Sequence, residues 1–231
     1  MPHFNIVKNS EPKGSFRVQS VIGKYDLQTK NIQETFSGDI ELPEKWNVGL
    51  IVGRSGTGKT TIAKTLFGDS CVNEYSWEHD NILDDMPENC AVNDICQTLV
   101  SVGFSSPTSW LKPYAVLSNG EKMRAQIARA MLEDKELIVF DEFTSVVDRV
   151  VAQVSSIAIS KRIRKSDKRF IAVTCHHDVE QYLDPDWVFN TDEMRFYERK
   201  ERIQVKKNSK FSKSVIAKNA NIGKYLDAII I

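Results

Sequence analysis

Eight consecutive residues, Gly53-Arg54-Ser55-Gly56-Thr57-Gly58-Lys59-Thr60, hold the densest chemistry in this chain. They fit the pattern G-x-x-x-x-G-K-[ST]. Its glycines let backbone N–H groups converge on phosphate oxygens with no side chain in the way. A helix that starts near Lys59 adds the positive end of its dipole. Lys59 would reach the β- and γ-phosphates of a nucleotide, and the Thr60 hydroxyl is placed to ligate Mg²⁺. Thr61, next on the same helix, completes the expected phosphate-binding set of residues 53–61. A second group lies downstream. The apolar run Leu137-Ile138-Val139-Phe140 delivers Asp141 and Glu142 at its C-terminal end, where open α/β sheets bind ligands. Asp141 would hold the metal, and Glu142 would act as general base on the attacking water.

Groups so far apart in sequence need a sheet to bring them together. Val48-Gly49-Leu50-Ile51-Val52 reads as a short buried strand running into the glycine loop. A helix from Thr61 to Phe67, stopped by Gly68, should follow. Residues 92–103 carry Val92, Ile95, Cys96, Leu99, Val100 and Val102 near helical spacing. Glu121 to Leu132 and Val150 to Ile163 read as further helices, and Phe170-Ile171-Ala172-Val173 as a third buried strand. Strand and helix alternate, which predicts a mostly parallel sheet flanked by helices. At the N-terminus, residues 1–15 are polar with Pro2, Pro12 and Gly14, so a poorly ordered start is expected. Alternation such as Phe16-Arg17-Val18-Gln19 predicts antiparallel strands between Phe16 and about Ile40.

Residues 117–131, Leu-Ser-Asn-Gly-Glu-Lys-Met-Arg-Ala-Gln-Ile-Ala-Arg-Ala-Met, resemble the ABC signature, Leu-Ser-Gly-Gly-Gln followed by an Arg-Ala-rich helix. They depart from it at Asn119 and Glu121. Ser118 and Glu121 also read as a capping box at a helix start. With the glycine loop and the acidic strand in order, residues 16–190 resemble ABC-type ATPases of the P-loop NTPase class. The segments VLSNGEK, FDEFTSVVDR and CHHD…PDW look closest to stand-alone soluble members from bacterial and phage genomes.

The resemblance implies ATP and Mg²⁺ as ligands. It implies a homodimer in which Ser118 and Gly120 of one copy close the glycine loop of the other. Phe143–Asp148 resembles the D-loop, with Asp148 its acidic member. Val173–Asp178 resembles the switch-histidine segment; His176 is favoured as the γ-phosphate contact, and His177 is the alternative. Tyr25 falls near the place of an adenine-stacking aromatic, with Phe36 competing for the role. The Q-loop glutamine is not evident, and Asp84 or Asp85 stands near its position. The cassette is expected over residues 1–198 with a short helical insertion at about 90–132. A basic tail follows at 199–231.

Composition narrows the setting. Lys plus Arg and Asp plus Glu number 31 each, so bulk charge points neither to nucleic acid nor to an acidic partner. No apolar run is long enough to cross a bilayer, and the N-terminus has no apolar segment of signal-peptide length, so a cytoplasmic protein is expected. The four cysteines lack metal-ligand spacing and read as free thiols. A Cys175-His176-His177 metal site would want a fourth ligand. The expected role is a soluble ATPase acting on nucleic acid or another macromolecular target, with the tail tracking phosphates. The alternatives are the ATP-binding subunit of a membrane transporter and an ATP-gated dimeric scaffold with little turnover.

Overall fold

The computed structural model describes residues 3–10, 14–27, 32–72 and 75–199. At its centre lies β3 (Val48–Val52), buried along its whole length. It belongs to a five-stranded sheet with β4 (Leu137–Phe140), β5 (Arg169–Thr174), β6 (Trp187–Asn190) and β7 (Arg195–Glu198), ordered β4-β5-β3-β6-β7. The first four strands in that order are parallel, and β7 runs antiparallel at the edge. Because β3, β4 and β5 are mutually parallel, the chain leaving each of the three strands emerges at the same end of the sheet. The register sets Val52 beside Thr174 and Phe140 beside Ala172. Residues 53–60, 141–142 and 175–178 are therefore neighbours in space.

Side chains alternate across this sheet, and both faces are buried. Leu50, Ile138, Phe170, Ala172 and Val188 point into one core, with α3 (Val92–Ser101), α5 (Asn119–Leu132) and α6 (Arg149–Ile163) on that side. Ile51, Val139, Ile171, Val173 and Phe189 point into the other, with α2 (Lys59–Phe67). Gly49 lies against the Trp187 indole, which a Cβ at position 49 would meet at 2.2 Å. Two short helices, α4 (Pro107–Trp110) and α7 (Val179–Leu183), complete the body. The segment expected as a helical insertion thus holds α3, α4 and the start-to-finish run of α5.

The N-terminal region differs from expectation. His3–Ser10 forms a strand, β1, where a poorly ordered start was expected; it pairs antiparallel with β2 (Ile32–Asp39). Phe16–Tyr25 is a helix, α1, and not a strand. Its cause is local: Ser15 caps it by accepting from the Val18 N–H at 3.3 Å, and Asp26 ends it in the left-handed region. Val18, Val21, Ile22 and Tyr25 follow helical spacing, which the alternation over Phe16–Gln19 masks. None of its residues is buried. Residues 200–231, nearly the whole basic tail, lie outside the described residues. Among the described residues no helix is long and apolar enough to cross a membrane.

Candidate functional site

The glycine loop leaves β3 and turns into α2. Gly56 and Gly58 have φ of +85° and +83°, which a side chain would strain. Lys59 is buried and its Nζ donates to the Arg54 carbonyl at 2.7 Å, so its charge lies over the loop. Thr60 and Thr61 are half-buried on the first turn of α2, while Ser55 and Arg54 are exposed. The loop is braced from the β6–β7 turn. Thr57 Oγ1 and Thr191 Oγ1 lie 2.6 Å apart, and the Arg54 N–H and Nε both donate to Asp192 Oδ1, at 3.0 and 3.1 Å. Gly53 is needed for this contact, since a Cβ there would meet Thr191 Oγ1 at 2.1 Å. Thr191 and Asp192 were not singled out in the sequence. Only the pairing of β6 with β3, which carries Thr191 N–H to the Val52 carbonyl, reveals them.

Of the two candidate aromatics, Phe36 packs against the loop: its ring would meet a Cβ on Gly58 at 2.6 Å. Tyr25 stands exposed at the end of α1, with Lys24 Nζ 5.6 Å from its ring centre.

Asp141 is half-buried and Glu142 exposed at the end of β4. Glu142 and Thr144 adopt φ of +54° and +64°, a region that non-glycine residues avoid. Holding them there costs about 1–3 kcal/mol each. Phe143 between them anchors the turn. Its N–H donates to the Val173 carbonyl at 2.8 Å, and its buried ring meets Phe140 and Phe170 edge-on. The turn therefore holds Glu142 outward at the C-terminal end of β4. Thr60 and Asp141 supply hard oxygen donors that suit Mg²⁺, an ion that takes its remaining ligands from phosphate and water. Among the described residues there is no cluster of three or more His, Cys, Asp or Glu fit for a metal.

The two histidines after β5 face different ways. His176 Nδ1 lies 3.4 Å from Thr144 Oγ1, on the side of Glu142. Burial, and then the nearby Arg149 cation, hold its pKa below the ordinary histidine value, with Asp178 and Glu142 pulling the other way. His176 is thus neutral near pH 7. His177 Nε2 lies 3.3 Å from Asp192 Oδ2, on the side of the glycine loop. Arg149 pairs with Asp178, fastening the D-loop-like turn to the histidine segment. Asp148 caps α6, accepting from the Val150 and Val151 N–H groups at 3.0 Å.

Ser118 caps α5, and the capping box is formed. Ser118 N–H and Oγ donate to Glu121 Oε2 at 2.9 and 2.8 Å. Ser118 is exposed and Gly120 half-buried. The loop at 78–86 is organised by Asp85, buried and accepting from the Glu78 N–H at 3.0 Å and from His79 Nδ1 at 2.8 Å. That carboxylate faces its own loop. Asp84 accepts from Asn81 Nδ2 at 2.6 Å and stays exposed. Between α2, β4 and α5 a cavity of about 480 Å³ opens beside Asp141 and Glu142, lined also by Lys64, Lys122 and Gln126.

A glycine loop on the central strand, a carboxylate pair two strands away, and a serine-capped helix before that pair give this chain the P-loop NTPase fold, with motifs similar to those of ABC ATPase cassettes. Comparisons with known proteins agree. The chain is 25% identical over 228 residues to the energy-coupling factor transporter ATP-binding protein EcfA of Malacoplasma penetrans, covering 80% of this chain and 75% of that protein. It is 34% identical over 103 residues to a probable ATP-binding cassette sub-family F member 3 homolog of Encephalitozoon cuniculi, covering 42% of this chain and only 18% of that one. A solved dimer of the ATP-binding cassette MJ0796, in a post-hydrolysis state with ADP and Pi, shares the fold at a TM-score of 0.57 and 13% identity. The match covers 73% of this chain and 94% of that one. No protein-family model matches the chain. These relatives lend no support to a special nearness to stand-alone bacterial and phage ATPases.

Proposed function

We propose that this chain binds Mg-ATP between two copies arranged head to tail, hydrolyses it, and drives a separate membrane-embedded transporter subunit. One observation carries the dimer. The two motifs that would meet a second copy are flanked by exposed apolar side chains: Val116 before Ser118, and Val146 and Val150 around Asp148, are 66%, 62% and 53% exposed. Such side chains, set beside polar groups with work to do, mark a surface that another protein covers.

In this reading Lys59 and the loop N–H groups bind the β- and γ-phosphates. Thr60 and Asp141 would hold Mg²⁺, which when bound offsets phosphate charge. Glu142 takes the proton of the attacking water. His176 keeps Nδ1 toward Thr144 and presents Nε2 to the γ-phosphate. Ser118 and Gly120 of the second copy close the site. The Glu142→Gln variant tests it: turnover should fall at least about 100-fold, and Mg-ATP should convert the monomer to a dimer on a sizing column. Full turnover by a Glu142→Gln monomer would sink both the base assignment and the dimer.

Two observations favour the transporter partner over nucleic acid. Several relatives, EcfA proteins from different bacteria, are named as transporter ATP-binding proteins. A groove of about 750 Å³ between α3, α5 and α6 has an apolar floor, including Met131, Leu132 and Ala158, and a cationic rim at Lys161 and Lys165. That combination suits an amphipathic partner helix. The tail that would track nucleic acid lies outside the described residues. Co-purification in detergent of a chain with several membrane spans supports this partner; nucleic acid alone in the sample would overturn it.

A further inference from the structure

Asp192 is engaged with two parts of the site at once. Oδ1 accepts from the Arg54 N–H at 3.0 Å and from Arg54 Nε at 3.1 Å. Oδ2 lies 3.3 Å from His177 Nε2. A carboxylate only accepts, so a hydrogen bond between the two is one that His177 Nε2–H donates. The turn is itself held in place: Asp192 N–H donates to Asn190 Oδ1 at 2.9 Å, and Thr191 is buried against Val52 and Thr57. Burial pushes the Asp192 carboxyl up, but the hydrogen bonds and charge of Arg54 and the bond from His177 outweigh it and keep it ionised. One carboxylate therefore joins the second residue of the glycine loop to the residue that follows His176.

We propose that Asp192 is a positioning residue that locks the glycine loop to the histidine segment, so that phosphate held by the loop fixes His176 within the same copy. The geometry gives it no role as a catalytic group: it faces Arg54 and His177, and acts through them. His177 is then the linker of the histidine pair and His176 the member that faces phosphate. The inference rests on the proposed ATPase reaction and adds a coupling that the reaction alone does not require.

The test is steady-state ATPase kinetics of Asp192→Ala, Asp192→Asn, His177→Ala and the Asp192→Ala/His177→Ala double variant, each with its melting temperature. Asp192→Ala should raise KM for Mg-ATP about tenfold and lower kcat about tenfold, because loop and histidine are both released. His177→Ala should lower kcat about tenfold with KM within about twofold. The double variant should be no slower than Asp192→Ala, since the two residues act as one unit. Asp192→Asn keeps an acceptor for the Arg54 N–H and sets an NH₂ group against His177, so it should lower kcat and spare KM. It also carries the test if Asp192→Ala fails to fold. Wild-type kinetics in Asp192→Asn and His177→Ala, or kcat losses that simply multiply in the double variant, would overturn the coupling while leaving the ATPase reading intact. A wild-type chain that binds no Mg-ATP would remove that reading, and this inference with it.

Discussion

Position 121 carries a carboxylate where the signature has an amide, and the consequence is electrostatic. Burial pushes the Glu121 carboxyl up, yet hydrogen bonds from the Ser118 N–H, Ser109 and the Ser118 hydroxyl outweigh it and hold the pKa below the usual range. Glu121 is therefore ionised at neutral pH, and its Oε2 accepts from the Ser118 hydroxyl, oxygen to oxygen 2.8 Å. In the proposed dimer that hydroxyl would face the γ-phosphate of the other copy. A negative charge directly behind it repels the phosphate and competes for the hydrogen. Glu121→Gln keeps an acceptor for the Ser118 N–H and removes the charge. In a Glu142→Gln background it should tighten the Mg-ATP dimer about three- to tenfold, with the larger effect at low salt. Dimer fraction against protein concentration, by light scattering, reads this directly. A weaker dimer would mean that the carboxylate serves the interface.

At the scale of elements, the end of the sheet opposite the site is fastened by Asp186, at the start of β6. It accepts from the Asn47 and Val48 N–H groups at 2.8 and 2.9 Å and from Arg164 at 2.9 Å. Burial raises its pKa and these bonds more than offset the rise, so the folded value lies below the ordinary carboxylate value of 3.8. Its stabilising contribution is then complete above that value and is lost as pH falls through the folded pKa. Asp186→Asn should lower stability by about 2 kcal/mol at pH 7, and in denaturant melts the gap between wild type and variant should begin to shrink below about pH 3.8 and close only below the lower folded pKa. The same strand shows what sequence carries and what it withholds. β3, β4 and β5 were legible because each is a continuous apolar run ending in chemistry. β6 and β7 were not: Trp187–Asn190 and Arg195–Glu198 are four residues each and rely on pairing with a strand already in place. Thr191 and Asp192 were hidden for that reason, since pairing alone brings them to the glycine loop. α1 was misread because four alternating residues at its start outweighed the helical spacing of Val18, Val21, Ile22 and Tyr25. The phosphate loop, the acidic pair and the Ser118 helix start needed no such help, because their residue types follow from the chemistry.

For the whole molecule, the decisive question is whether one copy supplies the loop and another the serine. Ser118 caps the exposed start of α5, while Lys59 is buried under its own loop. Two copies related by a two-fold axis would form two equal sites, each with Lys59 from one chain and Ser118 from the other. Lys59→Ala homodimers would then lack the lysine in both sites. Ser118→Arg homodimers would lack the serine in both, and Arg at this exposed N-cap should cost only about 1 kcal/mol of fold stability. Mixed one to one, about half of the dimers pair one chain of each kind. Each mixed dimer has one site with both defects and one site with neither. Turnover should therefore return to about a quarter of wild type from two inactive samples. A site built within a single chain gives no recovery on mixing, because every chain then carries its own defect. Recovery that rises with ATP concentration and vanishes at protein concentrations too low for dimers would tie the repaired site to the ATP-bound pair.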